Sequence, residues 1–161
     1  MEYTLMHKRI PVVDIVIDEA GQIIQTNTIH DIKHIPIGIN VSDSIIDKTS
    51  LVDWWNERSI PASRDGIKDV IKNLNINNTS VLLSKSFGLS LSDQYWICPK
   101  GSGLKWEDVN FFENDFSKDI GEILFGHVPN DPNNINFKSP DNASDGVLKK
   151  KWLIADIPRH F

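Results

Sequence analysis

The run SPDNASDGVLKKKW, residues 139 to 152, joins small turn-forming side chains to a cluster of lysines. The chemistry open to such a run is phosphate binding. Ser139-Pro140 begins a turn, Asp141 to Gly146 are all small or polar, and Lys149, Lys150 and Lys151 follow as an extended segment. Backbone N–H groups in a loop of small residues can approach a phosphate closely, while lysines beside them offset its charge. The loop carries a single glycine and lacks the GxGxxG spacing, and a lysine triplet is more commonly a solvated strand or helix face.

Other reactive groups are scattered. The histidines stand at 7, 30, 34, 127 and 160, without an HExxH or paired-cysteine pattern that would bind zinc. His30 and His34 are four apart but precede Pro36 in a loop, which makes them turn or surface residues. GxSxG, Walker A and Rossmann patterns are absent. Glu107 and Asp108 beside Trp106, and Glu113 with Asp115, have the composition of a cleft lining. General acid–base work would need two of these carboxylates to converge from distinct environments. Trp54, Trp55, Trp96, Trp106 and Trp152 bring large apolar area with one N–H each, a combination that concentrates in cores and interfaces.

The elements that must position these groups come from a chain of 161 residues, enough for one ordinary domain or two small subdomains. It is 40% hydrophobic and 24% charged, the balance of a soluble globular protein. A net charge of -5 argues against direct nucleic-acid binding. The single Cys98, between Ile97 and Pro99, excludes an internal disulfide and points to a packed thiol in a reducing cytoplasm. Neither a signal-peptide core nor a membrane-length apolar run is present.

The first forty residues are rich in β-branched side chains around Pro11, with a turn at Gly21. Val12, Ile15 and Ile17 do not alternate strictly, so part of that strand is expected to be buried on both faces. A helix capped by Thr49 or Ser50 runs to Pro61. A second, capped by Ser63, carries Ile67, Val70, Ile71 and Leu74 on one face. A third spans Thr79 to about Phe87 and closes at Gly88. DQYWICPKG is a strand, LKWEDVNFFENDF is either extended or a single turn, and SKDIGEILFG is a short helix from Ser117 to Gly126. Residues 127 to 138 form a linker of prolines and asparagines, and KKKWLIA has strand composition. The fold class is α+β: a small twisted antiparallel sheet or partial barrel with several short helices.

RSIPASRDGI, LLSKSFGLSLSDQYWICP, LKWEDVNFFENDFSKDIGEILFG and SPDNASDGVLKKKW, in that order, resemble the N-terminal region of HipA-like proteins. These are serine/threonine kinases typified by the toxins of bacterial toxin–antitoxin systems. The resemblance implies an N-terminal subdomain over residues 1–126, the linker 127–138, and the start of a kinase-like nucleotide-binding lobe from 139 to 161. It implies that Ser139 to Gly146 match the loop over the ATP phosphates, with Ser144, Asp145 and Gly146 at the tip. Lys149 lies on the strand after it. The cofactor-contacting residues would be Ser139, Ser144, Asp145, Gly146 and Lys149. The ATP-contacting lysine and the metal-binding and catalytic acids of such kinases have no counterpart in the sequence after KKKWLIAD. Phosphoryl transfer needs those charges, so the expectation is a non-catalytic chain, either truncated or one component of a split system. It would hold no ATP or Mg²⁺ stably and would dock on a kinase lobe or an antitoxin-type protein. The competing expectation is a DNA-associated, excisionase-like accessory protein using the helices at 50 to 74. Asp53, Glu57, Asp65 and Asp69 there suit phosphate contact poorly.

Overall fold

The structure, a computed structural model, describes residues 1–143 and 150–155. Its β-branched opening folds into β1 (Glu2–His7), β2 (Ile10–Ile17) and β3 (Ile23–Ile29). A two-stranded hairpin of β4 (Val41–Ser42) and β5 (Ile45–Ile46) follows. Next come α1 (Lys48–Arg58), α2 (Ile67–Asn73), α3 (Thr79–Lys85), β6 (Tyr95–Pro99), α4 (Trp106–Val109) and α5 (Asp119–Leu124). The main sheet is antiparallel in the order β3-β2-β1-β6. The molecule is thus an α+β fold built on a small sheet.

Sheet pairing decides which side chains meet. Leu5 stands opposite Val13 on one side and Ile97 on the other, while the next pair, Met6 and Trp96, faces the opposite surface. Both surfaces are covered, and Val12, Val13, Asp14 and Ile15 are all buried in β2. That double cover is why the strand does not alternate. Leu5, Val13, Ile15, Ile17 and Ile97 pack against Leu51 and Trp55 of α1 and Leu83 of α3. A second core joins α2, α3 and α5 through Ile67, Val70, Leu82, Ile120, Ile123 and Leu124. A third lies under the other sheet surface, where Leu89 and Trp96 meet Trp106, Val109 and Phe111.

Gly21 fixes the turn between β2 and β3. Its φ is 74°, and a Cβ there would stand 2.5 Å from the Ser80 carbonyl, so both the turn and the approach of α3 require glycine. Its own carbonyl accepts the Trp55 indole N–H at 2.7 Å, joining sheet and α1.

Helix starts differ from the sequence expectation. Asp47, not Thr49 or Ser50, caps α1, its carboxylate accepting the Ser50 N–H at 3.0 Å. Asp is as good a cap as Ser, and here it holds the extended geometry the position needs. Ser63 does not cap α2: residues 61 to 64 form a turn closed by Arg64 N–H to the Pro61 carbonyl, and the helix begins after Gly66. Asn78 caps α3. Ser117 sits one residue outside the α5 cap, its hydroxyl accepting the Asp119 N–H at 3.1 Å. The WEDV segment is a single helical turn. Residues 150–155 form no strand, contrary to the expectation for KKKWLIA. A strand needs a neighbour to bond with, and the Trp152 N–H instead binds a side chain of another turn. Among the described residues no helix is long and apolar enough to cross a membrane.

Candidate functional site

Pro140–Ala143 form a 3₁₀ turn whose polar residues are sealed in: Ser139, Asp141 and Asn142 are fully buried. Buried polar atoms usually find a partner inside the protein. The Ser139 hydroxyl donates to Asp141 Oδ2 at 2.9 Å and accepts the Asp141 N–H at 3.2 Å. Asn142 Nδ2 donates to the Phe137 carbonyl at 2.5 Å, and the Trp152 N–H donates to Asp141 Oδ1 at 2.9 Å. That last bond ties together the two flanks of residues 144–149. Burial raises the Asp141 carboxyl pKa, against the opposing pull of the Trp152 N–H, the Ser139 hydroxyl, Arg64 and Lys151.

Helix α5 supplies the wall behind this turn. Gly121 permits the contact, since a Cβ there would stand 3.0 Å from both Asp141 Oδ2 and Lys151 Cβ. One residue on, Glu122 binds the Lys151 ammonium at 2.6 Å, and that hydrogen bond is the leading cause of its lowered pKa. The Ser117 N–H reaches the Lys138 carbonyl at 3.0 Å on the near side. Among the described residues, Asn142 Oδ1 is a buried acceptor without a hydrogen-bond partner.

A groove of about 280 Å³ opens beside the turn, between Ala143, Lys150 and Trp152 on one lip and Trp54, Arg58, Ser90 and Ser92 on the other. Arg58 organises it. Its guanidinium makes bonds of 2.5 and 3.0 Å to Asp93, donates to the Gly88 and Tyr95 carbonyls, and lies 4.7 Å from the Trp54 ring centroid. Its charge is therefore neutralised by Asp93 and serves to fix the groove's shape.

Of the residues singled out from the sequence, Ser139 lies in the buried turn with its hydroxyl committed to Asp141. Ser144, Asp145, Gly146 and Lys149 lie outside the described residues. His30 and His34 do not meet. His30 bonds Asp14 at 3.0 Å, and His34 Nδ1 lies 2.8 Å from His7 Nδ1, with Tyr95 stacked on the His7 ring. Nothing in local spacing pointed to that pair, because its members are 27 residues apart. Among the described residues no three His, Cys, Asp or Glu side chains cluster to hold a metal. Sequence reasoning also passed over Asp141 and Asn142 as individual anchors, although Asn and Asp in a Pro-initiated turn are the signal that finds them.

No family model matches the chain, nor does any curated protein or solved structure.

Proposed function

We propose that residues 1–161 are the non-catalytic N-terminal portion of a HipA-like serine/threonine kinase, docking on a kinase lobe and carrying the base of its phosphate-covering loop. The observation supporting this reading most directly is the bond from the Trp152 N–H to Asp141, which fixes both flanks of residues 144–149 on the α5 wall. A loop that is to close on a phosphate works best from an ordered base, since the cost of positioning is then met by the fold. Trp152, Leu153 and Ile154 follow that base with 46%, 60% and 39% of their surfaces exposed. Three consecutive exposed apolar residues are the kind of surface a second lobe would cover. ATP and Mg²⁺ belong, in this reading, to the lobe and not to residues 1–161 alone.

The test has two stages. The DNA after codon 161, or a gene beside it, should encode a HipA-like catalytic lobe. That lobe, produced with residues 1–161, should copurify with them and lose about tenfold or more in affinity to the Trp152→Ala, Leu153→Ser double variant. ATP with Mg²⁺ should raise the melting temperature of the assembled lobes and leave that of residues 1–161 unchanged. Absence of an encoded lobe, or a lobe that does not bind, overturns the reading. Salt-sensitive binding to duplex DNA would favour the accessory-protein alternative.

A further inference from the structure

The WEDV turn lies on another part of the molecule and forms the wall of a second, larger pocket. Its volume is about 680 Å³, against about 280 Å³ for the groove beside the turn. That volume lies in the range of small-molecule sites. Met6, Trp96, Leu104 and Trp106 make an apolar floor, and the Trp96 and Trp106 rings lie 6.5 Å apart, inclined at 44°. Arg9, Lys105, Glu107 and Asp108 stand around the rim.

The rim charges are not equivalent. Arg9 pairs with Glu107, which neutralises both. Asp108 Oδ2 accepts the Lys105 backbone N–H at 3.0 Å and so is engaged in closing the helical turn. The Lys105 ammonium makes no ion pair among the described residues, and it is exposed. The indoles differ in the same way. Trp96 donates its N–H to the Lys8 carbonyl at 2.8 Å. Trp106 is 6% exposed, and no hydrogen bond from its N–H is found among the described residues, yet that nitrogen is not one of the buried atoms left without a partner. Its N–H therefore reaches water and is free to donate to a ligand. The pocket therefore offers aromatic and thioether surface, one indole donor and one cation at the water boundary.

We infer that this pocket binds an apolar carboxylate, with the hydrocarbon or aryl body on Met6, Trp96, Leu104 and Trp106. The carboxylate accepts from the Trp106 N–H and the Lys105 ammonium. A neutral apolar ligand would cover the indole donor and the Lys105 ammonium without giving either a partner. At the rim the carboxylate keeps part of its hydration, so the charge costs little to place. Two sources share this chemistry: a free aryl- or alkyl-alkanoic acid, and the C-terminal residue of a peptide ending in a bulky apolar side chain.

Titration of residues 1–161, followed by tryptophan fluorescence and calorimetry, tests the inference with 4-phenylbutyrate, its primary amide and butyrate. Saturable binding of 4-phenylbutyrate is expected, with the amide weaker by about tenfold, as loss of a charge-assisted hydrogen bond implies. Butyrate should not saturate. Lys105→Gln should bring the acid down to the affinity of the amide while leaving the amide unchanged. Trp106→Phe should weaken the acid by several-fold, and because it also removes part of the third core's filling the titration is run well below the variant's own lowered melting temperature. A peptide ending in Ala-Phe with a free carboxylate, compared with its amidated form, identifies the source. Tighter binding than 4-phenylbutyrate assigns the site to a chain terminus, and weaker binding assigns it to a free acid. Equal affinity for acid and amide, no saturation by either, or an unaltered affinity in Lys105→Gln overturns the inference.

Discussion

The four-stranded sheet and the turn at 139–143 are fastened in different ways. In the sheet, β1 is paired along its length with β2 and β6, and many equivalent backbone bonds share the load. Around the turn, single side chains reach single backbone groups, Asp141 to Trp152 and Asn142 to Phe137, with one side-chain ion pair, Glu122 to Lys151, beside them. Loss of one ladder bond leaves its neighbours in place, whereas loss of one of these anchors strands a buried polar group. The sheet is a distributed structure, and the loop base is a concentrated one. A segment fastened at few points can open without unfolding the rest.

The largest effect is expected where the sheet's core is filled by one side chain. Trp55 is 1% exposed and bonds Gly21, so Trp55→Ala should cost about 3–5 kcal/mol. Denaturant unfolding should still show a single transition, because the four strands are joined in one continuous ladder over a shared core. Trp55→Phe keeps most of the ring and loses the N–H, and should fall between the two.

Asp141→Ala should come next, at about 1–3 kcal/mol, since it removes the partner of the Ser139 hydroxyl and of the Trp152 N–H. Asp141→Asn retains a carbonyl acceptor and should cost much less. Hydrogen exchange separates the two modes of fastening. In Asp141→Ala the amides of Trp152, Asp141 and Asn142 should lose protection while those of Leu5, Val13 and Ile97 keep it. Equal loss in the sheet would show that the loop base and sheet open as one unit.

Acid should act on the two regions with opposite sign. Asp14, in β2, is hydrogen-bonded by Lys100, Thr4 and His30. Burial alone would raise its pKa, but these three partners outweigh burial and hold it at about 2. Its stabilising contribution is thus present above the unfolded value of about 3.9 and is lost as pH falls toward 2. Burial dominates at Asp141 and raises its pKa, so its contribution is fullest below about 3.9 and declines as pH rises through the raised value. Chemical denaturation from pH 2 to pH 7 should show the wild type's advantage over Asp14→Asn shrinking on acidification. Relative to Asp141→Asn, the wild type should gain.

Much of the distributed half was legible in the sequence. The β-branched density of β1 to β3, the turn at Gly21 and the apolar face of Ile67, Val70, Ile71 and Leu74 each express a local period or a local steric need. The concentrated half was less legible, because its partners are distant in sequence. The strand expected for KKKWLIA followed from composition, but composition cannot supply a neighbouring strand, and Asp141 took the Trp152 N–H instead. The phosphate reading of SPDNASDG located a turn correctly at Ser139-Pro140, yet local pattern could not reveal that the Ser139 hydroxyl faces inward to Asp141. Glu107 and Asp108, beside Trp106, have the composition of a cleft lining, and they do line a pocket. What completed their pocket was Trp96 and Met6, brought in by the pairing of β6 with β1.

The smallest effect concerns a contact between the two modes of fastening. Lys85, at the end of α3, places its ammonium 4.8 Å from the centroid of the Phe137 ring, two residues before Ser139. A cation–π contact made by an exposed lysine contributes about 0.5–1 kcal/mol. Lys85→Met keeps the apolar stem and removes the charge, so melting temperature should fall by about 2–4 °C at most. Lys85→Arg should restore it, because a guanidinium also stacks on an aromatic face. The variant is informative because Phe137 also supplies the carbonyl that holds Asn142. If Lys85→Met cost as much as Asp141→Ala, the loop base would be fastened through α3 and not through Asp141. Additivity in the Lys85→Met, Asp141→Ala double variant would show that the two contacts act independently, with Asp141 the principal anchor.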